Sequence, residues 1–156
     1  TCEFQVVGSW SPICFEDVVM RKLDEYGLKD NFEFTGSLNG DDKWRAYADA
    51  DVFCLPSHYE SENFPLVLIE AMALKVPIVT TKWRGIPQLV SDTAILCDIK
   101  SPEHYADAVI SYMDNESLRS EKKQLAYDRY QSFFTLDHFL KRMEDVFALS
   151  LETTKR

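Results

Sequence analysis

Two carboxylates eight positions apart, Glu62 and Glu70, are the residues of this chain whose surroundings give them chemistry to do. Glu70 is the only charged residue between Pro65 and Leu74, in the run LVLIEAMAL. On a helix, Leu66, Ala73 and Leu74 lie one turn away on its side. Val67, Leu68, Ile69 and Met72 then make that helix apolar nearly all round, the pattern of a helix buried on most sides. A lone carboxylate there has its charged form disfavoured unless hydrogen-bond donors satisfy it. The vicinal hydroxyls of a sugar do so with two hydrogen bonds, as a ribose does for the acidic residue of a dinucleotide-binding fold. A lysine or a backbone amide does so as well, which would leave Glu70 structural and Glu62 a solvated loop acid. The residues alone leave both readings open.

The elements that must position these groups read as strand, loop, helix, strand. Asp51 to Leu55 (DVFCL) is expected as a buried strand and Pro77 to Thr80 (PIVT) as a second, with the helix between them. In such a βαβ unit ligands sit outside the carboxyl ends of the strands, and a helix N-terminus there offers free N–H groups and a positive dipole end. Asn63 is expected to cap that helix and Pro65 to fit its first turn. Trp83 and Arg84 follow the second strand, so Arg84 is available to a phosphate. Upstream, Glu3 to Val7 and Asn31 to Thr35 read as strands, separated by a helix over Phe15 to Tyr26 that Gly27 stops. Asp41 or Asp42 can cap a short helix through Tyr47. Downstream come a helical turn near Gln88 to Val90, a strand over Ala94 to Cys97, and a helical tail over about 101–152, with helices near 102–114, 116–131 and 136–150. Alternating strands and helices predict an α/β fold, a doubly wound and mainly parallel sheet with a helical C-terminal tail.

At 156 residues the chain is long enough for one domain with its own core, and 46% hydrophobic with 28% charged residues is ordinary globular composition. The formal net charge of −9 argues against a nucleic-acid groove or an anionic membrane patch, both of which need clustered Lys and Arg. No run of 18 apolar residues and no signal-peptide pattern stands out, so a cytoplasmic location is expected. Cys2, Cys14, Cys54 and Cys97 are scattered without a C-x-x-C pair and read as thiols, Cys54 and Cys97 inside buried strands. The aromatic series Tyr127, Tyr130, Phe133, Phe134 and Phe139 reads as core packing, and no histidine pair has metal-ligand spacing.

The order of these features carries a resemblance. Pro56-Ser57, then Glu62, then Glu70-Ala71-Met72-Ala73, then PIVTT, then Arg84-Gly85-Ile86-Pro87-Gln88 resembles the retaining glycosyltransferases of the GT-B fold, specifically their family four of bacterial polysaccharide enzymes. The resemblance covers most of the chain. It implies a Rossmann-like, single nucleotide-sugar-binding domain over 1–156, corresponding to the C-terminal half of the GT-B fold and truncated at its N-terminal side. By resemblance, Glu70 binds the ribose of the donor and Glu62, the catalytic candidate, contacts hydroxyls of the transferred sugar. Backbone amides near Asn63, Phe64, Pro65 and Leu66 face sugar or diphosphate, and Leu38 touches the base. The implied substrates are a UDP- or GDP-sugar and a saccharide or lipid-linked acceptor, with no cofactor and no metal.

This sequence departs from the family pattern at several points. Pro65 and Asn63 stand where glycines are usual, Lys75 replaces the glycine after AMA-x, and Gln88 replaces a glutamate. Pro65 removes one backbone N–H that would otherwise serve the donor. Asp49-Ala50-Asp51 looks like the D-x-D metal motif of the other main glycosyltransferase fold, but it spans a helix end and a strand start. By the resemblance, the family's first strand and its acceptor-binding domain are missing, so the chain is expected to be inactive alone and to close its sheet by a direct pairing of neighbouring strands, a strand swap, a dimer or a partner chain. The full-length enzyme is expected in the cytoplasm at the inner face of the membrane. A sugar-nucleotide epimerase and a non-catalytic sugar-nucleotide-binding scaffold are the alternative functions.

Overall fold

The computed structural model describes residues 2–10 and 14–153. Its strands and helices alternate, and every strand pairing is parallel, which is the α/β fold expected. The strands fall in two sheets, within two compact units, 1–49 and 50–156.

In the first unit, β1 (Phe4–Val7) pairs with β2 (Phe32–Gly36). Between them runs α1 (Cys14–Glu25). Gly27, at φ +64°, ends α1 as expected: its N–H bonds the Asp24 carbonyl while Leu28 N–H reaches Leu23, closing the last turn. The helix α2 (Gly40–Asp49) begins one residue before Asp41 and Asp42, so these acids lie in its first turn rather than capping it, where they still complement the helix dipole. Leu23 and Tyr47 are the buried hydrophobic residues described in this unit, and all of β1 is exposed.

The second unit holds the larger core. The sheet order is β3 (Phe53–Leu55), β4 (Ile78–Thr81), β5 (Ala94–Cys97), with α3 (Leu66–Ala73) and the short α4 (Ile86–Val90) as crossovers. The central strand β4 is buried along its whole length. The tail forms α5 (Pro102–Asp114), α6 (Glu116–Phe133) and α7 (Leu136–Thr153). Asn115 separates α5 from α6 and caps α6, accepting from Leu118 N–H at 2.9 Å. Ser101 precedes α5 without a side-chain cap. Tyr105 and Tyr112 of α5 donate their hydroxyls to the Val79 and Ile78 carbonyls, tying the tail to β4. α6 packs on α3.

Three sequence expectations need correction. β3 and β5 are the two edges of their sheet, and Cys54 of β3 is exposed while Cys97 of β5 is buried. The apolar helix is not buried on most sides. α3 buries Leu68, Ala71 and Met72, whereas Leu66, Val67 and Leu74 are exposed, so the face bearing Glu70 is open. The aromatic series of the tail is not core either. Phe133 and Phe139 are exposed and Ala126 is the buried residue of α6, because a small side chain lets that helix approach α3 closely. Cys2, Cys54 and Cys97 are in no disulfide, and the Cys14 side chain lies outside the described residues. Among the described residues no helix is long and apolar enough to cross a membrane.

Candidate functional site

The loop that carries Glu62 leaves the carboxyl end of β3 and is fastened to the end of β4. Thr80 donates its hydroxyl to the Leu55 carbonyl at 2.9 Å, Thr81 donates to the Ser57 carbonyl, and Trp83 Nε1 donates to the Tyr59 carbonyl at 2.7 Å. The two threonines are buried, so these bonds also satisfy hydroxyls that would otherwise be costly to bury. Glu62 N–H closes a turn on the Tyr59 carbonyl, and Ser57 Oγ donates to Glu62 Oε2 at 3.3 Å. The half-buried Glu62 carboxylate is therefore oriented by its own loop. Sequence reasoning missed the part played by Ser57 and Trp83. Ser57 was visible only as half of a Pro-Ser pair, and nothing in the linear pattern brings Trp83 to residue 59.

The start of α3 corrects a further expectation. Pro65 itself is the N-cap, with φ −69° and ψ 108°, and no side chain caps the helix, so Asn63 does not. The extended conformation suits Pro65, and it begins the helix at Leu66. First-turn N–H groups without a side-chain acceptor are what an anion or a sugar hydroxyl uses. Pro65 is buried, whereas Asn63, Phe64 and Leu66 are exposed. Glu70, one turn on from Leu66, is half-buried on the open face.

The loop after β4 closes on the same region. A Cβ at Gly85 would lie 2.1 Å from the Asn63 carbonyl oxygen, so only glycine lets the two loops meet there. Arg84, next to it, is exposed and sits at φ +44°, with its guanidinium 5.3 Å from the Trp83 ring. Lys82 is engaged differently, bonding Asp98 at 2.9 Å and holding that carboxyl below its ordinary pKa. Beside Arg84 opens a groove of about 690 Å³ that also takes in Asn63, Phe64, Gln88 and Arg129. Phe64 meets Phe134 edge to face there, ring centroids 6.3 Å apart.

Other candidates lie elsewhere. Leu38 belongs to the first unit, where it lines a groove of about 390 Å³ with Gln5, Glu33, Thr35 and Arg45. His58 is exposed. Asp49 ends α2, and Asp51 lies one residue past the start of the second unit. Among the described residues no group of three His, Cys, Asp or Glu side chains is placed to hold a metal ion.

Residues 15–129 match the family of glycosyl transferases group 1. The chain belongs to that family. N-acetyl-alpha-D-glucosaminyl L-malate synthase of Bacillus anthracis, a curated relative, is 27% identical over 144 residues, which is 91% of this chain and 36% of that enzyme. The chain thus spans about a third of the length of this relative. The crystal structure of the C-terminal domain of a glycosyl transferase group 1 family protein (LpcC) from Francisella tularensis superposes with a TM-score of 0.73 at 26% identity, covering 85% of this chain and 69% of that one. Anabaena Alr3699/HepE, solved in complex with UDP, superposes with a TM-score of 0.86 at 17% identity, over 94% of this chain and 41% of that one, which shows the shared fold. The group 1 chain is a GT-B glycosyltransferase domain, as the resemblance implied.

Proposed function

We propose that this chain is the donor-binding domain of a retaining glycosyltransferase that transfers a hexose from a UDP- or GDP-sugar to a saccharide or lipid-linked acceptor in polysaccharide biosynthesis. The observation that carries this reading is the pair of carboxylates flanking an uncapped helix start. Glu62 is oriented by Ser57 ahead of α3, Glu70 lies on the open face one turn into α3, and no side chain caps the helix start between them. A nucleotide-sugar has the matching order of groups: ribose hydroxyls for Glu70, a diphosphate for the helix start, sugar hydroxyls for Glu62. Phe64 and Leu66 supply backbone N–H groups, and Pro65 none. Arg84 faces the charge that builds on the leaving diphosphate, where preorganised donors lower the barrier. The Leu38 backbone is assigned to the base on the sequence resemblance. Retention of configuration, family four membership and a cytoplasmic site at the membrane's inner face follow from the same resemblance. Anabaena Alr3699/HepE, which shares the fold and was solved with UDP, supports a nucleotide-sugar donor.

Calorimetric titration with UDP and GDP tests the reading. One of the two should bind this chain. Glu70→Ala removes the acceptor of two hydroxyl hydrogen bonds and should weaken that binding about 10- to 100-fold, since bonds to a charged group are worth about 1.5–3 kcal/mol. Glu62→Ala should leave nucleotide affinity unchanged and slow transfer when assayed in a full-length enzyme. The isolated chain should show no turnover. Absence of binding by both nucleotides would refute the donor role, and equal losses in the two variants would refute the division of labour.

A further inference from the structure

The chain carries a formal charge of −9, yet among the described residues the groove at Arg84 is lined by three arginines, Arg84 included, and no carboxylate. From these residues we infer that the groove is a binding site for a phosphorylated small molecule, held by Arg84, Arg129 and Arg142 over the rings of Phe133 and Phe134. The argument goes beyond the donor reading, in which Arg129 and Arg142 have no part.

Three observations converge. Arg129, half-buried on α6, is preorganised: its Nε donates to the Leu89 carbonyl and one terminal nitrogen to the Gln88 carbonyl, both at 2.7 Å, and its guanidinium lies 5.3 Å from Phe133 and 5.7 Å from Phe134. These partners are neutral, so the positive charge is oriented and not cancelled, and the other terminal nitrogen has none of these bonds. Arg142 of α7 lies 5.9 Å from the same Phe133 ring, which brings two like charges to one aromatic surface. Arg84 also lines the groove, in the left-handed backbone conformation at φ +44°. None of the three has a carboxylate within ion-pair distance among the described residues.

Like-charged groups gathered on one groove repel each other unless an anion joins them. Planar guanidinium forks match phosphate oxygens in pairs. Asn63 and Gln88 also line the groove, and each carries a side-chain amide that can donate to a phosphate. At about 690 Å³ the groove exceeds a bare phosphate and has room for the molecule that bears one, with the phenylalanine rings as an apolar floor.

The test uses this chain with inorganic pyrophosphate, titrated by calorimetry at low and at 0.5 M salt. A second arm follows co-sedimentation with phosphatidylcholine vesicles containing phosphatidic acid, which distinguishes a soluble from a lipid-borne phosphate. Arg142 is exposed and takes no part in the donor reading, so Arg142→Gln should fold as the parent does and leave the diphosphate contacts of that reading in place. Saturable binding in either arm that falls at least about tenfold in Arg142→Gln and weakens with salt supports the site. UDP affinity should be unchanged in Arg142→Gln and should fall in Glu70→Ala, which keeps this result separate from the donor reading. No saturable binding in either arm, or binding that Arg142→Gln retains, would overturn the proposal whatever UDP does.

Discussion

Lys75 shows how one side chain is held in place by opposing terms. It follows α3 at φ +57°, its N–H bonds the Met72 carbonyl and Val76 N–H reaches Ala71, the paired bonds of a helix end that favours glycine. The left-handed conformation costs lysine about 1–2 kcal/mol. Its ammonium lies 4.3 Å from the centre of the Tyr127 ring on α6, which returns about 0.5–1 kcal/mol. Lys75→Ala should therefore lower stability by about 0.5–1 kcal/mol, because the ring contact is lost while the backbone cost stays. Lys75→Gly removes both terms and should be neutral or stabilising by up to about 1 kcal/mol. Urea denaturation of the two variants decides, and equal losses would show that the backbone conformation carries no cost. The resemblance of the EAMA run marked this position as one where glycine is usual. Tyr127 as the compensation was not legible, since 52 positions separate the two residues.

At the scale of elements, the site is an arrangement of two loops on one strand end. The loop 56–65 hangs from Thr80, Thr81 and Trp83, and Gly85 lets the following loop touch Asn63. Gly85→Ala should therefore push the Asn63 carbonyl aside, costing about 1–3 kcal/mol as overpacking does, and should weaken nucleotide binding along with stability. Thermal melts with and without UDP measure both, and unchanged values in both would show that the loops part freely. The boundaries of β5 and α5 matched the sequence reading because a buried four-residue strand and a proline-led helix have sharp local signals. The start of α3 did not, because Asn63 and Pro65 both offer a start and only the path of the loop selects one. The open face of α3 was hidden for a related reason. Leu66, Val67 and Leu74 are as apolar as the buried Leu68 and Met72, so periodicity has no means of telling them apart.

At the scale of the whole molecule, the two units differ in how much they bury. The second buries Leu68, Met72, Ile78, Val79, Ile86, Val90 and Tyr112 among others, whereas the first buries Leu23 and Tyr47. Amides of β4 should therefore exchange with solvent only through complete opening of the second unit, and amides of β1 through small local openings. Hydrogen exchange should show protection at least about a hundredfold greater in Ile78–Thr81 than in Phe4–Val7. Equal protection would mean that the two units share one cooperative core.

By itself, the sequence determined the order of strands and helices, the α/β class and the family, because these rest on local periodicity, capping chemistry and the spacing of Pro56, Glu62 and Glu70 along one segment. The tertiary structure alone decided that β3 is an edge with Cys54 exposed, that Ser57 orients Glu62, and that Arg84, Arg129 and Arg142 share a groove. Burial and charge proximity depend on which distant segments pack together. No linear pattern encodes that Arg129 of α6 will bond the carbonyls of Gln88 and Leu89.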